Sequence, residues 1–233
     1  MAKKKIEKSG IEILESAEAL QKEFSKAESF FSGNKNLLSI VGGAVIAIAL
    51  AVFGYNYWMK QKTAETQTAM FDSVYYFEAD SLDLALKGTG GNVGLLEIAD
   101  NYGSTPAGNL ANYYVGVAYM RQGKFDEAIT YLNEFSASDL IIQGKAYALL
   151  GDAHMEKANA KEAISYYNKA VDYKPNKQMT PGYLMKLGIA YEETGDKDGA
   201  IEAYGELIEK YPTSLDVLAA TKYKSKLETE VGN

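Results

Sequence analysis

Cysteine is absent from the sequence and histidine occurs once, at His154. Without thiols there is no disulfide, no thiolate nucleophile, no cysteine-based zinc site and no cysteine to carry a lipoprotein acyl chain. A single histidine cannot build a metal site, and no serine-nucleophile elbow, kinase set or zinc-protease motif stands in for it. Carboxylates Asp152, Glu156, Glu192 and Glu193 fall on predicted helices, but no pattern fixes their separation as acid/base chemistry requires. The expectation is a non-enzymatic chain that uses no cofactor and no metal, with His154 as a packing residue.

Charge is missing from one stretch. Leu37 to Phe53 holds no charged residue, and Ser39 is its only polar side chain. Through Trp58 the segment would span roughly 33 Å as a helix at ~1.5 Å per residue, enough for a hydrocarbon core of ~30 Å. Tyr55, Tyr57 and Trp58 supply the aromatic belt of a membrane interface, and Lys60 and Lys62 end the run. A cleaved signal peptide is the competing reading. Ala47-x-Ala49 and Ala49-x-Ala51 resemble cleavage sites, yet they lie inside the apolar core, and the preceding segment is long for an n-region. The expectation is an uncleaved transmembrane anchor over 37–58. Ser39, Gly43, Ala47 and Ala51 recur every fourth residue, a small-residue stripe that would let another membrane helix approach.

The remaining charge is uneven. Residues 1–36 carry seven Lys and six Glu, and residues 60–233 carry seventeen basic and twenty-five acidic side chains. An acidic main domain argues against nucleic acid as its partner. Lys22, Lys26 and Lys35 lie close before the anchor, and only Lys60 and Lys62 follow it closely, which favours a cytoplasmic N-terminus and an exported C-terminal domain.

Before the anchor, residues 1–36 are expected to form a cytoplasmic amphipathic helix, with Ile6, Ile13, Ala17, Leu20, Phe24, Ala27 and Phe31 on one face. That helix would be solvated near the membrane or would dock a partner. After the anchor, residues 59–108 read as a membrane-proximal helical region. A helix through Met70, Val74, Phe77 and Leu84 is followed by Gly88–Gly94. No strand precedes those glycines and no Gly-Lys-Ser/Thr follows, so they read as a linker rather than a phosphate cradle.

Residues 109–233 repeat themselves. Asn112-x-x-Val115-Gly116-x-x-Tyr119 with Ala128 returns as Tyr147-x-x-Leu150-Gly151-x-x-His154 with Ala163, and again as Leu184-x-x-Leu187-Gly188-x-x-Tyr191 with Ala200. Pro175 and Pro212 close the second and third copies. The pattern resembles the tetratricopeptide repeat, a pair of antiparallel helices of ~34 residues. The resemblance implies an all-α chain, one N-terminal transmembrane helix followed by an α-solenoid. The glycines and alanines would sit where paired helices cross, and Leu150, Tyr167, Leu187 and Tyr204 would fill the space between neighbours. Gly123, Asn159 and Gly195 would make the tight turns. Glu97–Ser104 parallels Glu206–Thr213 and suggests a degenerate earlier unit, while Leu215–Glu228 reads as a capping helix.

Such arrays bind along the face of their first helices. The repeat offsets put Tyr113, Val117, Met120 and Arg121 there from the first copy, Asp152 and Met155 from the second, and Met185, Ile189 and Glu192 from the third. Met and Tyr suit adaptable contact with apolar peptide. The other reading makes Met120, Met185 and Ile189 core. The whole arrangement resembles the YfgM-type ancillary subunits of the bacterial Sec translocon. That resemblance implies a single-pass inner-membrane protein with a periplasmic repeat domain. Its implied partners are the SecYEG channel, a membrane-anchored PpiD-type chaperone and nascent exported polypeptides. An adaptor for envelope assembly or cell division is the alternative. The repeat signature records packing, so no partner-binding residue follows from the resemblance.

Overall fold

The computed structural model describes residues 21–22, 24–25, 28, 30 and 32–232. The chain divides into two units, Met1–Met59 and Lys60–Asn233. The first contains the start of helix α1 (Lys35–Glu78). Ile40, Ile48, Leu50 and Phe53 are 64 to 72 % exposed, and α1 is the one helix among the described residues long and apolar enough to cross a membrane. Ser39, Gly43, Ala47 and Ala51 all lie exposed on it. The helix expected over Ile6–Phe31 falls largely outside the described residues, with Ile6, Ile13, Ala17, Leu20, Ala27 and Phe31 all among those not described.

The second unit takes up residues 60–78 of α1 and continues with α2 (Leu82–Lys87), β1 (Gly88–Thr89), β2 (Asn92–Val93), α3 (Leu95–Tyr102), α4 (Pro106–Arg121), α5 (Phe125–Glu134), α6 (Ile142–Glu156), α7 (Ala160–Asp172), α8 (Thr180–Thr194), α9 (Lys197–Lys210) and α10 (Val217–Val231). Helix α4 pairs with α5, α6 with α7 and α8 with α9, and each pair packs on the next, so the unit is a solenoid closed by α10.

The first helix of each pair stops by one device. After α4, Gly123 takes φ +71°; its N–H donates to Met120 O, and the N–H of Lys124 donates to Tyr119 O. Ala158 and Asn159 repeat these two bonds after α6, and Gly195 and Asp196 repeat them after α8. This is the Schellman stop, which satisfies carbonyls left open at a helix end. In the second copy the left-handed residue is Ala158, φ +54°, one position before the expected Asn159.

Helix α1 ends the same way. Asp80, φ +56°, donates to Phe77 O, and Ser81 N–H donates to Tyr76 O. The stop lies seven residues after Ser73, as Gly123 lies seven after Gly116, and Ala85 follows Ser73 at the twelve-residue spacing of Gly116 and Ala128. Residues 60–78 of α1 are therefore the first helix of an additional unit. Its second helix is split into α2 and α3 by an antiparallel hairpin pairing Gly88 with Val93 and Thr89 with Asn92. Gly90 and Gly91 both have positive φ, as a two-residue hairpin turn demands. The all-helical expectation is amended here: Gly88–Gly94 is a small β-hairpin, pinned to α1 by Ser73 Oγ donating to Val93 O at 2.7 Å.

Glycine at the crossings has a steric cause. A Cβ on Gly116 would lie 2.5 Å from Leu132 Cγ, on Gly151 2.4 Å from the Tyr167 ring, and on Gly188 2.3 Å from the Tyr204 ring. No side chain fits between these helices. The core has two packing centres. One gathers Met70, Phe77, Leu86, Leu95, Ile98 and Val115 around α1–α4, and the other gathers Tyr167, Leu184, Tyr204 and Leu207 around α6–α10.

Candidate interaction site

Helix α1 is apolar on two sides within the second unit. Met70 and Phe77 are buried, while Phe71 is 75 % and Tyr75 66 % exposed. A helix apolar on both sides has a second face still to cover. Across from it, α4 is started by Thr105, whose Oγ1 accepts from Gly108 N–H at 3.0 Å, with Pro106 at the first helical position. That start sets Pro106, Ala107, Leu110 and Tyr114 along a groove of about 480 Å³ whose other wall is Met70, Phe71, Val74 and Tyr75. Tyr114 is held edge-on against Phe77, ring centres 5.0 Å apart. The walls are aromatic, aliphatic and thioether, with Gln67 and Glu78 as the polar members, and suit a short apolar peptide segment.

The residues expected on this face have different fates. Tyr113 lies beside the groove residue Tyr114 and packs on Phe135, ring centres 6.1 and 5.2 Å away. Burial raises its pKa, with the neighbouring Tyr114 and Asp139 adding to the effect, so the phenol stays a neutral donor. Val117 packs against the N-terminal centre, and Met155 and Met185 against the C-terminal one. Met120 is half-buried and Ile189 is 42 % exposed.

The three charged members hold the array to itself. Arg121 pairs with Asp80 at 3.2 Å and lies over the Phe77 ring, 4.6 Å from its centre. Asp152 accepts from Tyr167 Oη at 2.8 Å and from Lys186 Nζ at 2.6 Å, tying α6 to both α7 and α8. Glu192 accepts from Tyr204 Oη at 2.7 Å. Burial followed by the carboxylate's influence raises the pKa of Tyr167, and burial followed by the hydrogen bond to Glu192 raises that of Tyr204. Each phenol therefore keeps the proton it donates.

His154 is stacked on Tyr166, ring centres 5.3 Å apart and planes 11° from parallel. Burial lowers its pKa, and its buried Nδ1 has no hydrogen-bond partner among the described residues. It packs as an aromatic ring. Near the middle of the array, Tyr183 reaches across Gly144, where a Cβ would stand 3.5 Å from its ring. Burial and then the adjacent Tyr113 push its pKa up to about 12.

Phe71, Tyr75, Leu110 and Tyr114 were not singled out from the sequence. Their signal was present: Met70, Phe71, Val74 and Tyr75 make α1 apolar over more of its circumference than one core contact uses.

The tetratricopeptide-repeat family matches residues 95–140, 116–177 and 183–214. A TPR repeat-containing protein of Methanocaldococcus jannaschii is 28 % identical over 109 residues, covering 47 % of this chain and 18 % of that protein. This chain thus spans less than a fifth of that relative's length. Among solved structures, the TPR-like repeats of a Podosopora anserina kinesin light chain match with a TM-score of 0.56 at 15 % identity, over 73 % of this chain and 88 % of that one. MamA matches with a TM-score of 0.48 at 24 % identity, over 59 % of this chain and 77 % of that one. With the glycine crossings, the repeated helix stops and the family match all falling on the same residues, residues 95–177 and 183–214 of this chain are built of tetratricopeptide repeats, a class of helical scaffold for protein–protein interaction.

Proposed function

We propose that the chain is a non-enzymatic ancillary subunit of the bacterial Sec translocon, tethered in the inner membrane with its N-terminus in the cytoplasm. Its repeat array works in the periplasm, where it holds apolar segments of nascent exported polypeptides beside SecYEG and a membrane-anchored PpiD-type chaperone. The observation that carries this reading is the groove between α1 and α4, with Phe71 and Tyr75 exposed at its rim. Covering one such ring contributes about 2 kcal/mol. A few of them give weak, reversible grip, which suits handing a chain onward rather than storing it.

The tether is supported by the charge-free run from Leu37 to Phe53, and the orientation by lysines concentrated before it. The translocon assignment rests on the combination of anchor, exported acidic domain and short array that resembles YfgM-type subunits. Ser39, Gly43, Ala47 and Ala51 would offer the close-packing stripe toward a channel helix.

The test is mild detergent solubilisation of native membranes, followed by identification of what co-purifies with the intact chain. SecYEG subunits are expected, and their loss is expected when Gly43 and Ala47 are both changed to Leu. Recovery of the chain without any channel subunit overturns the translocon assignment. Release of the chain by alkaline carbonate overturns the tether.

A further inference from the structure

A second cavity, of about 460 Å³, lies among α3, α4 and α5. None of the residues lining it is basic, and two are carboxylates, Asp100 on α3 and Glu134 on α5. Tyr131 joins the two helices by donating from Oη to Asp100 Oδ1 at 3.2 Å. Burial, then the Asp100 charge, push the Tyr131 phenol up to about 12, so it remains protonated and oriented.

Asn112 of α4 is the member that repeat packing does not explain. It occupies the position held by Tyr147 in the next copy and by Leu184, fully buried, in the last. Asn112 is itself only 6 % exposed and lines the cavity, and no group among the described residues hydrogen-bonds its side-chain amide. The amide nitrogen points toward Gly103 on the cavity wall, 3.9 Å from where a Cβ there would sit. The amide is not one of the sealed, unpartnered side-chain atoms, so it opens onto the cavity and presents hydrogen-bonding groups there that Leu at the same place would not.

We infer that this cavity binds the guanidinium group of an arginine side chain presented by a partner polypeptide. Two carboxylates at the exposed rim and the Tyr131 oxygen offer acceptors to a planar five-donor cation, with the Asn112 amide lining the same space. The space is far larger than one metal ion needs, and among the described residues no cluster of three or more metal-type ligands exists. The site is separate from the apolar groove, whose lining it does not share. Its occupancy does not depend on the proposed place beside the translocon.

The full chain in detergent micelles, labelled with ¹⁵N, tests this by titration with N-acetyl-arginine amide. Saturable shifts are expected at the Asn112 side-chain amide and at Gly103 and Tyr131. The citrulline counterpart, similar in shape but uncharged, should leave them in place. Glu134→Gln and Asp100→Asn, both at exposed positions, should each weaken binding about tenfold, the scale of one charge-assisted hydrogen bond. Asn112→Leu should abolish it; were that variant unable to fold, the two rim variants still decide. Absence of saturable shifts at Asn112, equal binding of citrulline, or affinity unchanged by both rim variants overturns the site. Equal affinity for N-acetyl-lysine amide overturns the guanidinium assignment.

Discussion

In the last two helix pairs a tyrosine ring lies directly on a glycine and its hydroxyl is tied to a carboxylate of the preceding helix, Tyr167 to Asp152 and Tyr204 to Glu192. In the additional first unit the corresponding position is Ser73, bonded to the hairpin carbonyl of Val93. The pair between them has Leu132 on Gly116, with no hydroxyl to tie. Where ring and tie are present, the ring itself occupies the crossing over the glycine. Around α1, α3, α4 and α5, where they are missing, the array carries its groove and its polar cavity. The groove and the polar cavity thus coincide with the departure from the repeat.

The sharpest way to break this contrast is to put a methyl group under a tyrosine. Gly188→Ala should cost about 3 kcal/mol, because neither Tyr204 nor the α8 backbone can yield without losing the tie to Glu192. Thermal unfolding followed by circular dichroism reads this, and Gly182→Ala, with nothing within 4 Å of its Cβ position, is the control. Ser73→Ala probes the other end. Losing the Oγ bond leaves the Val93 carbonyl without it, and about 1.5 kcal/mol should disappear. Hydrogen exchange should show the loss in the hairpin and α3 rather than in α8 or α9.

Asn112→Leu moves stability the other way. Giving the first copy the residue of the last should raise the midpoint by about 3 °C, as for roughly 1 kcal/mol in a domain of this size. A decrease would mean that Asn112 already has a structural partner. The smallest effect concerns pH. Burial holds the His154 pKa below its ordinary value, so the folded chain takes up that proton less readily than the unfolded one. This contribution is full above about pH 6.5 and declines as pH falls from there toward the depressed folded value. Denaturant titrations at pH 7.5 and 5.5 should show a pH slope that is slightly shallower for His154→Phe than for the parent chain.

The solenoid was legible because Gly116, Gly151 and Gly188, with their alanines, repeat at offsets that only a helix crossing demands. The first unit was hidden because Ser73 replaces the glycine and the hairpin cuts the second helix. The fragment Glu97–Ser104, visible as a parallel to Glu206–Thr213, is the latter part of that split helix. Asp152, Glu192 and Arg121 were placed on the binding face from spacing alone. Spacing gives the side of a helix, but it cannot tell that Lys186, Tyr167, Tyr204 or Asp80 will use the charge first. Phe71 and Tyr75 precede the first recognisable copy, so no repeat offset pointed to them.

Photo-crosslinking from single positions in the otherwise unchanged chain tests the central claim most directly. A benzophenone side chain at Phe71 or Tyr75, in the groove, is compared with one at Leu218, which is equally apolar and 83 % exposed on α10. Adducts to extended apolar polypeptide from the two groove positions, and none from Leu218, are the predicted result. Equal labelling from all three, or none from Phe71 and Tyr75, would contradict it.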